Sequence, residues 1–143
     1  MKTTALLIAV LLAGLAAYIR LAPSEPDQWN AAVPATGPLT DCFQITALEG
    51  GATLSCAAPA DALTKLDTIA RATPRTQRLA GSPEEGRITW ITRSRLWGFP
   101  DYTTAQITQT PTGARLDIYA RLRFGRSDMG VNAARLRAWL AQL

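Results

Sequence analysis

Arginine carries most of the chemistry open to this sequence. Residues 71–143 hold twelve arginines, no lysine and five acids, a balance of +7, while residues 1–70 hold a balance of −3. A guanidinium is a planar fork of donors that fits carboxylate or phosphate, whereas an ammonium is a point charge. Spacing singles out a few of these arginines. In residues 114–124 (ARLDIYARLRF), Leu116, Ile118, Ala120, Leu122 and Phe124 alternate with Arg115, Asp117, Tyr119, Arg121 and Arg123, the period of a strand with one apolar face. Arg93 and Arg95 fall on one face of an earlier run, RITWITRSR. Arg93, Arg95, Tyr119, Arg121 and Arg123 are therefore the candidate ligand-binding set, suited to a phosphate or carboxylate head group. Like charges side by side on a sheet are unfavourable unless acids or a bound anion offset them. Two arrangements meet that condition. In the first, an anion sits among the arginines. In the second, the acids form a structural salt-bridge network: Asp101 with Arg93 or Arg121, and Asp128 with Arg123 or Arg135.

The composition excludes several chemistries. With no histidine, a Ser-His-Asp or Cys-His machine cannot be assembled. Two cysteines without histidine cannot supply the usual four N/S ligands of zinc from one chain. There is no calcium loop and no glycine-rich phosphate loop. Asp101 or Asp128 beside Tyr119 has no spacing that demands a catalytic role. The reading is of no catalytic residue, no metal and no cofactor, hence binding rather than catalysis.

Elements must position these arginines. After Lys2, residues 5–19 are an unbroken apolar run, read as a secretory signal or an uncleaved anchor. Residues 3–22 are about long enough to span a bilayer if Arg20 snorkels to the interface. The small-x-small site Gly14-Leu15-Ala16 lies inside the apolar run, which favours an anchor. Residues 1–22 are therefore assigned as signal peptide or transmembrane anchor, with the rest facing the periplasm by the positive-inside rule. Residues 23–40 hold four prolines and read as an extended tether. Trp29 within it sits at the membrane interface or docks on the domain.

Residues 41–143 read as a single domain. Two β-prone runs, 41–47 and 52–56, flank Glu49-Gly50-Gly51 as a hairpin that brings Cys42 opposite Cys56. In an oxidising compartment the two form a disulfide, contributing on the order of 3 kcal/mol. Residues 60–73 are helical, with Leu63, Leu66, Ile69 and Ala70 at helical spacing. Strands follow at 75–81, 87–95, 101–110 and 114–124, joined by short turns that favour antiparallel neighbours. Ser127 or Asp128 caps a last helix running to Gln142, whose stripe is Val131, Leu136, Trp139, Leu140 and Leu143. This order predicts an α+β fold, an antiparallel sheet with helices on one face. Trp97 and Gly98-Phe99-Pro100 are either an exposed apolar loop or a plug under the sheet.

Three stretches carry a family resemblance: Arg20 to Trp29 (RLAPSEPDQW), Arg93-Ser94-Arg95 with GFPDY at 98–102, and YARLRFGRSDMGVN at 119–132 continuing to Arg135 and Trp139. Together they resemble domain-of-unknown-function family 1499, found in bacteria and plants. The resemblance implies no activity.

The expected function is binding of an anionic lipid or small ligand through the arginine-rich face of an envelope protein. The alternative is a membrane-anchored scaffold that docks another envelope protein. Nucleic acid is not an expected partner, given export and the scattered aromatics.

Overall fold

The computed structural model describes residues 1–35, 38–111 and 113–143. Thr36 and Gly37 of the proline-rich stretch and Thr112 of the expected PTG turn lie outside the described residues. The elements are α1 (Lys2–Leu21), α2 (Pro26–Trp29), β1 (Thr46–Leu48), β2 (Gly51–Ala58), α3 (Ala62–Ala72), β3 (Thr76–Ser82), β4 (Arg87–Arg93), β5 (Pro100–Thr110), β6 (Gly113–Leu122) and α4 (Val131–Leu140). The six strands form one sheet in the order β1-β2-β6-β5-β4-β3. Every pair is antiparallel, as the short turns require.

One face of the sheet carries the core. Leu54, Ile88, Trp90, Leu116, Ile118 and Ala120 are fully or almost fully buried, packed with Leu63 and Leu66 of α3 and Leu136, Trp139 and Leu140 of α4. Trp90 and Trp139 meet edge to face at 5.6 Å, an arrangement that ring quadrupoles favour. Their indole N–H groups donate to Asp67 and to Thr73 Oγ1, each at 2.9 Å. Val131, expected on the apolar stripe of α4, is half exposed; Ala133 is buried instead, because it lies three residues before Leu136 on the same helix face whereas Val131 lies five before it.

Asp67 is the buried acid of this core. Arg78 from β3 presents its Nε and Nη2 to the two carboxylate oxygens. Burial alone raises an aspartate's pKa; here the hydrogen bonds from Arg78 and Trp90 and the nearby guanidinium charges outweigh it and hold the carboxyl below its usual value.

Cys42 and Cys56 form a disulfide with Cα atoms 5.0 Å apart. The hairpin strand is shorter than expected, beginning at Thr46, and Cys42 stands in a turn ahead of it. The bond thus clips the approach segment to β2, beside the bridge between Thr40 and Cys56.

The opposite face of the sheet has no helical layer of its own length. Residues 22–35, extended on either side of the short helix α2 that Pro26 opens, lie across it and are bonded to it, so they act as a strap rather than a free tether. Val33 N donates to Gln106 Oε1 at 3.3 Å, and Arg87 Nη1 donates to Asn30 O at 3.0 Å. Ala22 and Val33 are buried.

Candidate functional site

Register decides which arginines meet. On the strap face, Ile91, Tyr102 and Arg121 form one cross-strand row, and Thr89, Thr104, Tyr119 and Thr53 form the next. Trp29 lies over the first row, its ring stacked on Tyr102 at 3.6 Å and 10°. Arg121 Nη2 donates to Trp29 O at 2.7 Å and Nη1 to Thr104 Oγ1 at 3.3 Å. Its guanidinium also lies 5.2 Å from the Trp29 ring centre and 4.9 Å from that of Tyr119, within cation–π range. Burial lowers the pKa of Arg121. Arg123 Nη1 reaches Pro23 O at 2.6 Å and Tyr102 OH at 3.2 Å. Tyr102 OH also meets Ser24 Oγ at 2.6 Å. Two of the five candidate residues, Arg121 and Arg123, thus grip the strap through its carbonyls, and Tyr119 flanks Arg121.

The salt-bridge partners differ from those expected. Asp101 pairs with Arg135 at 3.1 Å, not with Arg93 or Arg121. In an antiparallel sheet adjacent residues face opposite ways, so Asp101 looks toward α4 while Tyr102 beside it looks toward the strap. Burial raises the pKa of Asp101, with Arg135 opposing the shift. Asp128 pairs with neither Arg123 nor Arg135. Its two carboxylate oxygens accept the backbone N–H groups of Gly130 and Asn132, the donors that a helix start leaves open. Arg95 is not on a strand, because β4 ends at Arg93; it is exposed in the following loop.

Arg93 remains, and it converges with two arginines outside the candidate set. A cleft of about 450 Å³ is lined by Arg20, Arg75, Thr76, Gln77, Ile91, Arg93, Ser94 and Gly98. Arg75 Nε donates to Arg93 O at 3.1 Å while Arg93 N donates to Arg75 O at 3.0 Å. Arg75 holds a left-handed backbone, φ 60°, a conformation uncommon outside glycine. Arg93 Nη1 donates to Gly98 O at 3.1 Å. Arg20 Nη2 and Nε donate to Leu96 O and Trp97 O at 2.9 and 3.3 Å. Gly98, at φ 75°, permits that approach, since a Cβ there would lie 2.9 Å from Arg20 Cγ.

Every acceptor just named is a neutral carbonyl. Among the described residues, the carboxylate ion pairs go to Lys65, Arg71, Arg78, Arg115 and Arg135, and none goes to Arg20, Arg75 or Arg93. A guanidinium has five N–H donors, so each of the three retains donors beyond those bonds. Three cations with spare donors, two hydroxyls and an amide around one cleft suit a phosphate or carboxylate. A second cleft of about 370 Å³ shares Arg75, Arg93 and Ser94 and adds Arg95, Asp101 and Arg135. Arg20 and Arg75 escape a sequence reading because one closes the apolar helix and the other follows Pro74. Only the packing of α1 against the domain brings them together.

That packing is specific. Ile19 is buried, and Tyr18 meets Phe124 edge to face at 6.0 Å. The rest of α1 is almost wholly exposed. It is 20 residues long, and its most apolar 18-residue window has a mean hydropathy of 2.1, so it is long and apolar enough to cross a membrane.

A family model described as "Protein of unknown function (DUF1499)" matches residues 19–143. The match starts at Ile19, the buried residue of α1. No curated protein matches the chain.

Proposed function

Since the chain belongs to the DUF1499 family, whose description assigns no activity, we propose a function from geometry: an envelope domain that binds the anionic head group of a lipid, or a small anion of the same chemistry, in the cleft of Arg20, Arg75 and Arg93. The observation that carries the reading is three convergent guanidiniums that retain donors and, among the described residues, have no carboxylate partner. Such a cluster raises the energy of the folded state until an anion offsets it.

The second support is position. Arg20 ends an apolar helix of spanning length, and the cleft is built around its side chain. A membrane crossed by α1 would therefore reach its head-group layer at the cleft, where anionic lipids concentrate negative charge. An anchor also accounts for the docking of Tyr18, Ile19 and Arg20 on the domain. The disulfide suits an oxidising compartment, and with Lys2 at the other helix end the domain would face the periplasm.

Thermal unfolding of the full chain in mild detergent tests the cleft, with inorganic phosphate compared against chloride at matched ionic strength. Phosphate at about ten times its Kd stabilises by about 1.4 kcal/mol, or roughly 3–5 °C for a domain of this size. Arg75→Ala with Arg93→Ala removes that specific increment but keeps the general salting effect of phosphate. Equal increments in both proteins would refute the site.

A further inference from the structure

The loops that hold Arg20 and Tyr18 lie at one end of the sheet, and that end carries large apolar side chains exposed on its surface. Loop 94–99 is closed on itself: Ser94 N donates to Phe99 O and Phe99 N to Ser94 Oγ, each at 2.9 Å. It presents Leu96 at 76% exposure and Trp97 at 37%. The loop after β6 presents Met129 at 90% exposure, held out by a left-handed backbone at φ 52° and by Ser127 Oγ accepting its N–H. Phe99 and Phe124 link the two loops at 6.3 Å. Arg95 and Arg126 stand exposed among these side chains. The acids nearest this end are Glu25, Asp27 and Glu49, which are exposed, and Asp101 and Asp128, which are turned into the bonds described above.

Depth follows from connectivity. If α1 spans a bilayer, its last turn lies at the boundary between acyl chains and head groups, the level preferred by Tyr and by a snorkelling Arg. Leu96 and Trp97 are bonded through their carbonyls to Arg20 of that turn, and Phe124 touches its Tyr18. These loops sit at the same depth as the residues they bind. We propose that the end of the domain bearing Leu96, Trp97 and Met129, with Arg95 and Arg126, is a membrane-contact surface immersed in the interfacial layer of the bilayer that α1 crosses. The occupant is a lipid surface, because α1 leaves the domain from this end and the patch combines apolar tips with arginines, the composition that binds at anionic interfaces. The immersion would also orient the arginine cleft toward head groups. This inference rests on the anchor reading of α1 but not on occupancy of the cleft.

The test uses the full chain in phospholipid nanodiscs, with lipids brominated either near the carbonyls or deep in the acyl chain. Bromine quenches a nearby indole, and Trp97→Phe isolates the contribution of Trp97 by difference. Shallow bromination is expected to quench the Trp97 component by at least half, and deep bromination by much less. Leu96→Asp with Met129→Asp, checked by circular dichroism for an unchanged fold, reduces that quenching at least twofold. Arg75→Ala with Arg93→Ala leaves it in place. A Trp97 component insensitive to either lipid, in protein that resists alkaline extraction from membranes, overturns this proposal while sparing the anchor. Release of the chain by alkaline extraction overturns both.

Discussion

At the scale of single residues, the arginines divide by what accepts from them. Arg78 and Arg135 face carboxylates, Arg121 and Arg123 face strap carbonyls, and Arg20, Arg75 and Arg93 face carbonyls around an open cleft. Alternation through residues 114–124 was enough to place Tyr119, Arg121 and Arg123 on one face, although β6 itself ends at Leu122. It could not show what lies over that face, because the covering segment is remote in sequence and rich in proline rather than patterned. Asp67 gives the sharpest prediction at this scale. Its carboxyl pKa is lowered in the folded state, so its contribution is full above the unfolded value near pH 4 and is lost as pH falls through the folded value. Asp67→Asn is expected to cost about 2 kcal/mol at pH 7, the range of a hydrogen bond to a charged group. In urea titrations the gap between the two proteins should close as pH is lowered toward 3. A gap constant from pH 7 to pH 3 would mean that the carboxylate charge is not what Arg78 and Trp90 hold.

At the scale of elements, the strap is the part of the fold that pattern reading undervalues. Hydrophobic pattern and turn signals located α3, α4 and five of the six strands to within a few residues, whereas β1, expected from residue 41, begins only at Thr46 and is exposed along its whole length, so no buried face marks it. Residues 22–35 have no period, because they are held by Trp29 stacking and by side chains reaching their backbone. Trp29→Ala removes the stack on Tyr102 and the cation–π partner of Arg121, and is expected to cost about 2 kcal/mol. Limited proteolysis should then cut within residues 22–35 first. Cleavage elsewhere, with the strap intact, would contradict this account of its attachment. The disulfide acts on the neighbouring stretch. Cys42→Ser with Cys56→Ser should lower stability by about 2–4 kcal/mol, read from the denaturant midpoint in the absence of reductant. An unchanged midpoint would show that this segment is already ordered by the Thr40 bridge and the β1–β2 pairing.

At the scale of the whole molecule, the sheet separates two kinds of work. One face builds the core with α3 and α4. The other carries the strap, and the end where both faces finish meets the apolar helix and its Arg20. The antiparallel α+β plan was legible from short turns and from the order of strands and helices. The cleft was not, because its three arginines come from the end of α1, the α3–β3 turn and the end of β4, and no local pattern links positions so far apart. The measurement that bears most directly on the proposed function is native mass spectrometry of the full chain released from membranes in mild detergent. A reproducible extra mass matching an anionic phospholipid or a small phosphate-bearing molecule is expected, lost when Arg75 and Arg93 are both replaced by alanine and retained when exposed Arg137 is. A bare chain from every preparation, or an adduct indifferent to Arg75 and Arg93, would contradict the proposed function.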